Sequence, residues 1–266
     1  MDEIQESNSS FHEAWGLYAR GAGGEVVEQA GVLATWAGVQ WPIVNTLFLS
    51  TPVADLEDLR LRLARVAAFT SNKPQFGMLI ACDSWLPKQP ESAAVFPAHG
   101  WIQVSQAHGM VCQNVGAAIR LEGLEYRRVD RPELRYAAAD INAASYGVSM
   151  EMGREALDRE SLWGEGCFGY VGYSNGDAVA TATTYVRNDY LYVALVATLP
   201  ESRSRGFAKA ITSHSMQEAS RASSLQRTIL HATPMARSIY ESLGFRTVTT
   251  FPMFLPAALL AEHQAS

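Results

Sequence analysis

One segment of the chain has the residue types of an anion-binding site. An apolar strand pattern covers residues 190–197, a polar loop follows, and an amphipathic helix pattern continues through Gly206. A helix start leaves about four backbone N–H groups without intrahelical acceptors, and the helix dipole adds positive potential there. Gly206 and Ala208 lack bulk, so a diphosphate can approach these N–H groups, while Arg203 and Arg205 add charge. Taken alone, the segment fits an ordinary helix start with solvated arginines equally well.

A second segment, residues 230–246, places a small residue, a phenol and a glycine at regular spacing. Ala236 and Tyr240 are four residues apart and share a helix face, and Gly244 and Phe245 follow them. A phenol can donate a proton at neutral pH to an atom within hydrogen-bond reach. A tyrosine on a helix is by itself more often a core residue, so its chemistry depends on the surrounding pattern.

Together the two segments resemble the GNAT superfamily of acyl-CoA-dependent N-acetyltransferases. Two family patterns, R/Q-x-x-G-x-G/A and A-x-x-x-Y-x-x-x-G-F, are matched by Arg203, Gly206 and Ala208, and by Ala236, Tyr240, Gly244 and Phe245. The resemblance extends over residues 124–255, and two patterns at the expected separation are far more specific than one. It implies acetyl-CoA as co-substrate and an amine as acceptor.

The resemblance also implies which residues bind the cofactor. In the family, the strand before the signature parts from its neighbour, often at a bulge, and the pantetheine arm pairs with the freed backbone. The diphosphate lies on the helix-start N–H groups. Carried over by position, the cofactor-binding residues are Val196, Ala197, Thr198, Arg203, Ser204, Arg205, Gly206, Phe207, Ala208 and Thr233, the last where the family often has asparagine.

For catalysis, the resemblance assigns Tyr240 as the general acid that protonates the departing thiolate. Several family members place a glutamate base in the strand before the signature, but the matching position here is Tyr192, and residues 190–200 contain no carboxylate. The base is therefore expected to be His231 at the end of its strand, a carboxylate from the two helices after residue 130, or a chain of water molecules.

The elements predicted around these residues follow the order β-α-α-β-β-β-α-β-α-β from residue 124 onward. We expect helices at about 133–146, 149–162, 203–222 and 235–243, and a final strand pair around 247–254. The segment from Gly172 to Gly176 fits the G-x-S-x-G nucleophile elbow of hydrolases, but a strand pattern follows it where that elbow needs a helix. Asn175-Gly176 instead predicts a two-residue hairpin turn.

The first half predicts mixed α/β structure with no recognisable chemistry. A helix over 10–20, short strands at 24–28 and 31–36, a helix over 55–68 and a strand at 76–81 are expected, and no internal repeat is obvious. The Pro-rich and polar residues 87–97 and a fresh strand at 124 indicate two domains, 1–123 and 124–266. The first lacks R-x-x-G-x-A, so it is at most a degenerate GNAT copy with a supporting role.

Composition excludes several other classes. The formal charge of −6 has the wrong sign for nucleic-acid binding. The three cysteines are far apart, with no CxxC pair, which predicts neither disulfides nor a metal site. The acidic N-terminus and the lack of an apolar run of roughly 18 residues predict a cytoplasmic protein that does not enter membranes.

The prediction from the sequence is thus an α/β protein with a GNAT-type mixed central sheet flanked by helices and a second mixed α/β domain. We expect it to be an acetyl-CoA-dependent acyltransferase acting on a primary amine of a small molecule or peptide, with a homodimer as one assembly. The competing hypothesis is a non-catalytic acyl-CoA-binding regulatory protein that kept the cofactor site and lost the base, as Tyr192 suggests.

Overall fold

The structure is a computed structural model that describes residues 2–88 and 91–264. Gln89 and Pro90, which belong to the predicted linker, lie outside the described residues. The chain divides into two compact units, Met1–His108 with Thr249–Ser266 (unit 1) and Gly109–Val248 (unit 2). Compactness does not test independent folding, so the domain boundary near residue 123 stays a prediction.

Most helices lie within or near the predicted ranges, but the first begins at Glu3 instead of residue 10, and the helices Ser92–Ala98 and Ala257–Gln264 were not predicted. They are α1 (Glu3–Gly21), α2 (Leu56–Thr70), α3 (Ser92–Ala98), α4 (Pro132–Tyr146), α5 (Met150–Leu157), α6 (Phe207–Ser223), α7 (Arg237–Glu241) and α8 (Ala257–Gln264). Short 3-10 turns lie at Pro42–Val44, Asp83–Trp85, Glu160–Leu162 and Pro200–Ser202. The described helices include none long and apolar enough to cross a bilayer.

The strands alternate with these helices. They are β1 (Glu25–Gln29), β2 (Val32–Trp36), β3 (Asn45–Leu49), β4 (Met78–Ile80), β5 (Trp101–Cys112), β6 (Leu124–Arg128), β7 (Cys167–Ser174), β8 (Asp177–Val186), β9 (Leu191–Thr198), β10 (Thr228–Ala232) and β11 (Arg246–Pro256). The mixed α/β class predicted from the sequence is confirmed.

Unit 1 is a mixed sheet with a large aromatic and aliphatic core. Strands β1, β2 and β3 are antiparallel neighbours, β3 and β4 are parallel, and Met253 and Phe254 of β11 pair antiparallel with Ile80 and Leu79 of β4. One side packs against α2 through Leu59, Leu63 and Val66. A second cluster forms around Phe11 of α1 and Phe48 of β3. The unit therefore has enough buried apolar surface to order its helices.

Unit 2 is also a mixed sheet. Strands β6 to β9 are antiparallel neighbours in sequence order, and β9 pairs parallel with β10. The turn between β7 and β8 is the predicted Asn-Gly turn, with positive φ at Asn175 (54°) and Gly176 (90°). No helix follows Ser174, so the nucleophile-elbow geometry is absent from this described segment.

Helices cover both faces of the unit 2 sheet. The Thr184 hydroxyl lies 2.7 Å from that of Ser215 on α6, whereas a Cβ at Gly169 would meet both the Trp163 ring and the Thr183 hydroxyl. Successive strand residues point to opposite faces. Helix α6 therefore covers one face, and Trp163 lies on the other with α5, to which α4 is packed.

The two units repeat one order of elements, which the sequence does not reveal. From α1 to β5 the chain forms a helix, three antiparallel strands, a helix, a parallel strand, a helix and a strand. The same order recurs from α4 to β11, with α5 as an additional helix. It enters unit 2 within β5 and returns to unit 1 within β11. No repeat is obvious in the sequence because the repeat lies in topology rather than in residue identity.

Several local expectations also differ from the structure. The predicted strand pair around 247–254 is one strand, β11, and the helix expected over 149–162 ends at Leu157 before a 3-10 turn. Strands β3 and β5 were not predicted. Helix α3 lies inside the segment that its prolines marked as a linker; Pro97 is in its last turn, where the helix ends anyway.

Candidate functional site

Strand β9 carries a bulge near its carboxyl end. Thr183 of β8 pairs with Ala194 and Thr181 pairs with Ala197, so two β9 residues, Leu195 and Val196, oppose one residue of β8. Leu195 adopts a φ of 50°. A bulge bends its strand and turns backbone groups away from the ladder. This is the location that the family resemblance assigns to the pantetheine arm.

Strands β9 and β10 pair along only part of their length. Their register joins Leu191, Tyr192 and Val193 to Thr228, Ile229 and Leu230. Beyond this register β9 continues to Thr198 and β10 continues to Ala232. The last residues of β9, including Val196, Ala197 and Thr198, therefore lie beyond the paired region, and their edge is available to an extended ligand.

The loop after β9 forms a concave backbone surface at the start of α6. Ser204 has a φ of 61° and Gly206 a φ of 82°, with residues of negative φ between and before them. Such alternation turns successive N–H groups to one side, as in anion-binding nests. Gly206 is the N-cap, it supplies no side-chain cap, and the first intrahelical bond runs from the Ala210 N–H to the Gly206 carbonyl. The earlier N–H groups face away from the helix.

The side chains around this helix start are two arginines and a buried phenylalanine. Arg203 is exposed and donates to the Ser145 carbonyl at 3.0 Å, and the Arg205 guanidinium lies 4.7 Å above the Phe207 ring. Phe207 is buried in the core with Ala210 and Ile211, so only its backbone can contact a ligand. The first turn of α6 contains no acidic residue. An anion meets positive potential without a competing carboxylate there.

Thr198 offers a buried polar atom that suits a cofactor. Its Oγ1 has no hydrogen-bond partner among the described residues, and the residue is 9% exposed. Its carbonyl accepts from the Ser145 hydroxyl at 2.8 Å. Thr233, just past β10, is half-buried, and its carbonyl accepts from the Ala236 N–H. These groups fit an extended amide-containing arm, since such an arm supplies both donors and acceptors.

Tyr240 is held on α7 by the end of that helix. The Phe245 N–H donates to the Tyr240 carbonyl at 3.0 Å, and Gly244 adopts a φ of 91°. The Tyr240 ring is 6% exposed and packs with Val193 and Leu230. Burial, and then the neighbouring Tyr146 phenol, raise the pKa of Tyr240 above its ordinary value. The phenol is therefore protonated throughout the neutral range.

His231 lies on the opposite face of the sheet from Tyr240. Its Nδ1 is 2.9 Å from the Tyr192 hydroxyl. Tyr192 pairs with Tyr185, which shares the face of Thr183 and Trp163, whereas the neighbouring Val193 packs with Tyr240. The two residues assigned to catalysis are thus not in one cluster, and Tyr146 is the phenol on α4 that lies near Tyr240.

Two carboxylates on the helices after residue 130 are tied to arginines. Asp140 accepts two bonds of 2.7 Å from Arg154, and Asp158 accepts from Arg135 at 2.9 Å. Arginine therefore engages both carboxylate oxygens of Asp140 and one of Asp158, and neither carboxylate is fully free to bind an acceptor nitrogen.

A cavity of about 180 Å³ lies between α6 and the end of α7. Ser213, Met216 and Leu243 line it, and the segment 115–119 closes one side. The Ser213 hydroxyl accepts from the Ile119 N–H at 3.1 Å. Neither this cavity nor the contact of Ser145 could be predicted from the sequence, because both depend on segments distant along the chain. The described residues contain no group of three His, Cys, Asp or Glu that could hold a metal ion.

Comparison with known proteins agrees with this geometry. Residues 148–252 match the family model described as an acetyltransferase (GNAT) domain. Among solved structures, a GCN5-related N-acetyltransferase from Kribbella flavida is similar over 94% of this chain and 95% of its own, with a TM-score of 0.69 and 18% identity. A GCN5-related N-acetyltransferase from Sphaerobacter thermophilus covers 85% of this chain and 76% of its own, with a TM-score of 0.58 and 13% identity.

A tandem fold is also among these structures. A tandem GNAT protein from the clavulanic acid biosynthesis pathway covers 79% of this chain and 74% of its own, with a TM-score of 0.53 and 12% identity. At these identities the likeness concerns the fold. No curated protein matches the sequence. The family match and the folds agree with the bulged strand and the helix start at Gly206, and the chain therefore carries an acetyltransferase domain of the GNAT superfamily at residues 148–252.

Proposed function

We propose that the chain transfers the acetyl group of acetyl-CoA directly to a primary amine of a small molecule or peptide. The observation that carries the proposal is the bulged end of β9, beyond the β9–β10 register, beside a basic helix start without its own cap. Val196, Ala197 and Thr198 would bind the pantetheine arm, and the N–H groups from Ser204 to Ala208 the diphosphate, with Arg203 and Arg205 adding charge and Thr233 bonding the arm.

Tyr240 is the general acid in this proposal. Burial raises the pKa of Tyr240, so the phenol carries its proton at neutral pH and can donate it to a departing thiolate within hydrogen-bond reach. His231 is the base that receives the proton of the acceptor nitrogen.

The competing function is a non-catalytic acyl-CoA-binding regulator. Its support is Tyr192, a buried tyrosine at the position where several family members carry the glutamate base. Under this function the helix start at Gly206 binds acyl-CoA, and the binding of acyl-CoA regulates another process. Tyr240 is then a core residue of the cluster around Val193 and Leu230.

Release of free CoA thiol distinguishes the two functions. The full chain is incubated with acetyl-CoA and a panel of amines, and thiol release is followed over background hydrolysis. Amine-dependent turnover with an N-acetylated product supports the transferase. Tight acetyl-CoA binding without turnover on any amine favours the regulator, and absence of acetyl-CoA binding contradicts both.

For unit 1 we propose a degenerate copy of the same fold with a supporting role. The repeated order of elements supports the copy, and the lack of a glycine loop in residues 1–123 supports the loss of its cofactor site. We further propose that the protein acts in the cytoplasm on small amines, without nucleic acid or membrane partners, and that it can form a homodimer.

A further inference from the structure

Ser145, near the end of α4, contacts both ends of the loop that joins β9 to α6. Its hydroxyl donates to the carbonyl of Thr198, the last residue of β9, at 2.8 Å. Its own carbonyl accepts from the Arg203 guanidinium at 3.0 Å. A serine inside a helix commonly bonds a carbonyl three or four residues earlier in the same helix. Ser145 instead links α4 to the two segments that the proposed function assigns to acetyl-CoA.

The bond from Arg203 completes the end of α4. The last carbonyls of a helix have no intrahelical N–H partners. Turn bonds from the two residues after α4 satisfy the carbonyls of Ala143 and Ala144, and Arg203 occupies the next carbonyl, that of Ser145. A cation at this end of a helix also interacts favourably with the helix dipole. The contact between α4 and the cofactor loop is therefore stabilised by both partners.

The bond to Thr198 fixes the end of β9 from the side of the covering helix. On the β8 side, Thr198 pairs with Ala180, and the Leu199 N–H donates to the Val179 carbonyl at 3.0 Å. The register with β10 stops before this point. Ser145 thus adds an anchor that leaves the other edge of β9 open to an extended ligand.

The start of α6 has little burial to hold it. Residues 203–206 are all exposed, and both Ser204 and Gly206 adopt positive φ. Exposed segments with few packing contacts open and rearrange easily, and a ligand that must order them binds more weakly. The bond from Arg203 ties the first of these residues to Ser145, the residue that also fixes Thr198.

Resting on the proposed binding of acetyl-CoA, we propose that Ser145 is a positioning residue that sets the spacing between the strand edge for the pantetheine arm and the helix start for the diphosphate. A ligand that occupies both places gains affinity from fixed spacing, because its second contact forms at a high effective concentration once the first is made. A ligand that occupies only one place gains nothing from the spacing. This difference distinguishes positioning from a general role in folding.

The test compares acetyl-CoA with two of its fragments on the full chain. S-acetylpantetheine carries the arm alone and ADP carries the diphosphate alone; calorimetry measures acetyl-CoA binding, and competition measures the fragments. Ser145→Ala removes the hydroxyl and keeps the carbonyl that binds Arg203. It should weaken acetyl-CoA binding about 10-fold and leave both fragment affinities within about twofold of wild type. Ser145→Thr, which keeps a hydroxyl, should restore the affinity for acetyl-CoA.

Ser149→Ala is the matched control. The Ser149 hydroxyl caps α5 by accepting the Met152 N–H at 3.1 Å, so its loss should lower thermal stability without changing acetyl-CoA affinity. A role of Ser145 in helix stability alone predicts no loss in Ser145→Ala, because alanine is a better helix former than serine. In turnover with an amine, Ser145→Ala should raise KM for acetyl-CoA and leave kcat little changed.

Two results would overturn the positioning role. One is an unchanged acetyl-CoA affinity in a folded Ser145→Ala protein, and the other is an equal weakening of acetyl-CoA and of either fragment, which would assign the hydroxyl to one subsite. If Ser145→Ala does not fold, Ser145→Cys gives the same comparison, since a thiol of similar size is a weak donor. Absence of acetyl-CoA binding by the wild-type chain would instead reject the proposed function, and the positioning role with it.

Discussion

The starts of α2 in unit 1 and α6 in unit 2 occupy the same place in the repeated order of elements and have opposite electrostatic character. In unit 1 the Asp55 carboxylate caps α2 by accepting the Asp58 N–H at 2.9 Å, and Asp58 accepts the Ala54 N–H at 3.0 Å. In unit 2 the cap is Gly206, which has no side chain to satisfy the helix N–H groups. One helix start is filled by its own carboxylates, and the other is left open.

The loop before α2 is also closed by a buried cation. Arg62, 6% exposed, donates to the carbonyls of Thr51 and Pro52 and forms two bonds to Asp58. The bond from Arg62, above all, lowers the pKa of Asp58, so its carboxylate stays charged. A diphosphate at this position would face carboxylate repulsion and would have to displace these bonds. If unit 1 is the degenerate copy proposed above, self-capping is the means by which this helix start stays stable without a ligand.

Helices α3 and α7, which occupy the same place in the repeated order of elements, also differ in their side chains. Helix α7 carries the Tyr240 phenol, whereas α3 contains no tyrosine, and its Phe96 stacks on Phe254 at a centroid distance of 4.2 Å. A ring-to-ring contact stabilises a core but supplies no proton donor. The described part of unit 1 therefore has neither the open helix start nor the helix phenol at the places where unit 2 carries Gly206 and Tyr240.

The stoichiometry of acetyl-CoA provides the most severe test of this contrast. Calorimetric titration of the full chain should give one binding site, because the carboxylates of Asp55 and Asp58 exclude a second diphosphate. Two equivalent sites would show that the self-capped helix start does not exclude the ligand, and our account of unit 1 would then be wrong.

Removing the phenol from α7 makes unit 2 resemble unit 1 at that place. Tyr240→Phe should lower kcat by about 100-fold or more with acetyl-CoA affinity little changed, because proton donation acts in the transition state. The matched control is Tyr18→Phe in unit 1, which removes a buried tyrosine hydroxyl far along the chain. A core role for Tyr240 would appear instead as lower thermal stability with near-normal turnover.

A carboxylate at the open helix start should close it. Gly206→Glu places a negative charge where the diphosphate would bind and should weaken acetyl-CoA binding about 50-fold. Gly206→Gln is the control, since it carries the same strain at a φ of 82° without the charge. Calorimetric affinities that are equal for wild type and a folded Gly206→Glu variant would remove the diphosphate from this site.

Protonation of His12 should weaken unit 1 at acidic pH. Its Nε2 is buried without a hydrogen-bond partner among the described residues, its ring packs on Phe48, and burial lowers its pKa from 6.5 to about 4. As the pH falls, the unfolded chain therefore binds this proton before the folded chain does. The contribution of neutral His12 to the free energy of unfolding is complete above about pH 6.5 and decreases as the pH falls toward 4.

Denaturant unfolding at pH 7 and pH 5 measures this effect. His12 should account for a loss of about 2 kcal/mol between these values, and His12→Leu should remove that part of the pH dependence. His99→Gln, a change at an exposed histidine of the same unit, serves as the control. A pH dependence that is the same in the His12→Leu protein and the wild type would contradict the prediction.

The local patterns of the second half predicted its elements well. Helical periodicity at 133–146, the Asn-Gly turn and the strand patterns around it lie where the structure has α4, β7 and β8, because each depends on neighbours close in sequence. The glycine at 206 and the Gly-Phe pair after α7 likewise marked positive-φ positions that glycine adopts without steric cost. These signals were sufficient to locate the candidate cofactor site.

Other features depend on contacts that no local pattern records. Strand β5 is 12 residues long and was missed because its pattern resembles neither a clean alternation nor a continuous apolar run. The repeat was hidden because topology is conserved by backbone pairing while side chains can differ wherever burial is preserved. Three such contacts join residues 11 to 53 positions apart. They are the bond between Tyr192 and His231, the bond from Ser145 to the Thr198 carbonyl, and the bond from Arg62 to Thr51 in the loop before α2.

The sequence by itself thus determined the elements of the second half and the helix start that could bind an anion, since both follow from periodicity and backbone geometry within a few residues. Only the tertiary structure decided that Tyr240 and His231 lie on opposite faces of a sheet and that α2 is capped by its own carboxylates. It also decided that the face carrying Tyr192 holds no buried carboxylate among the described residues. These outcomes depend on which strands pair and in which register, a choice made by the burial of the whole core rather than by any single segment.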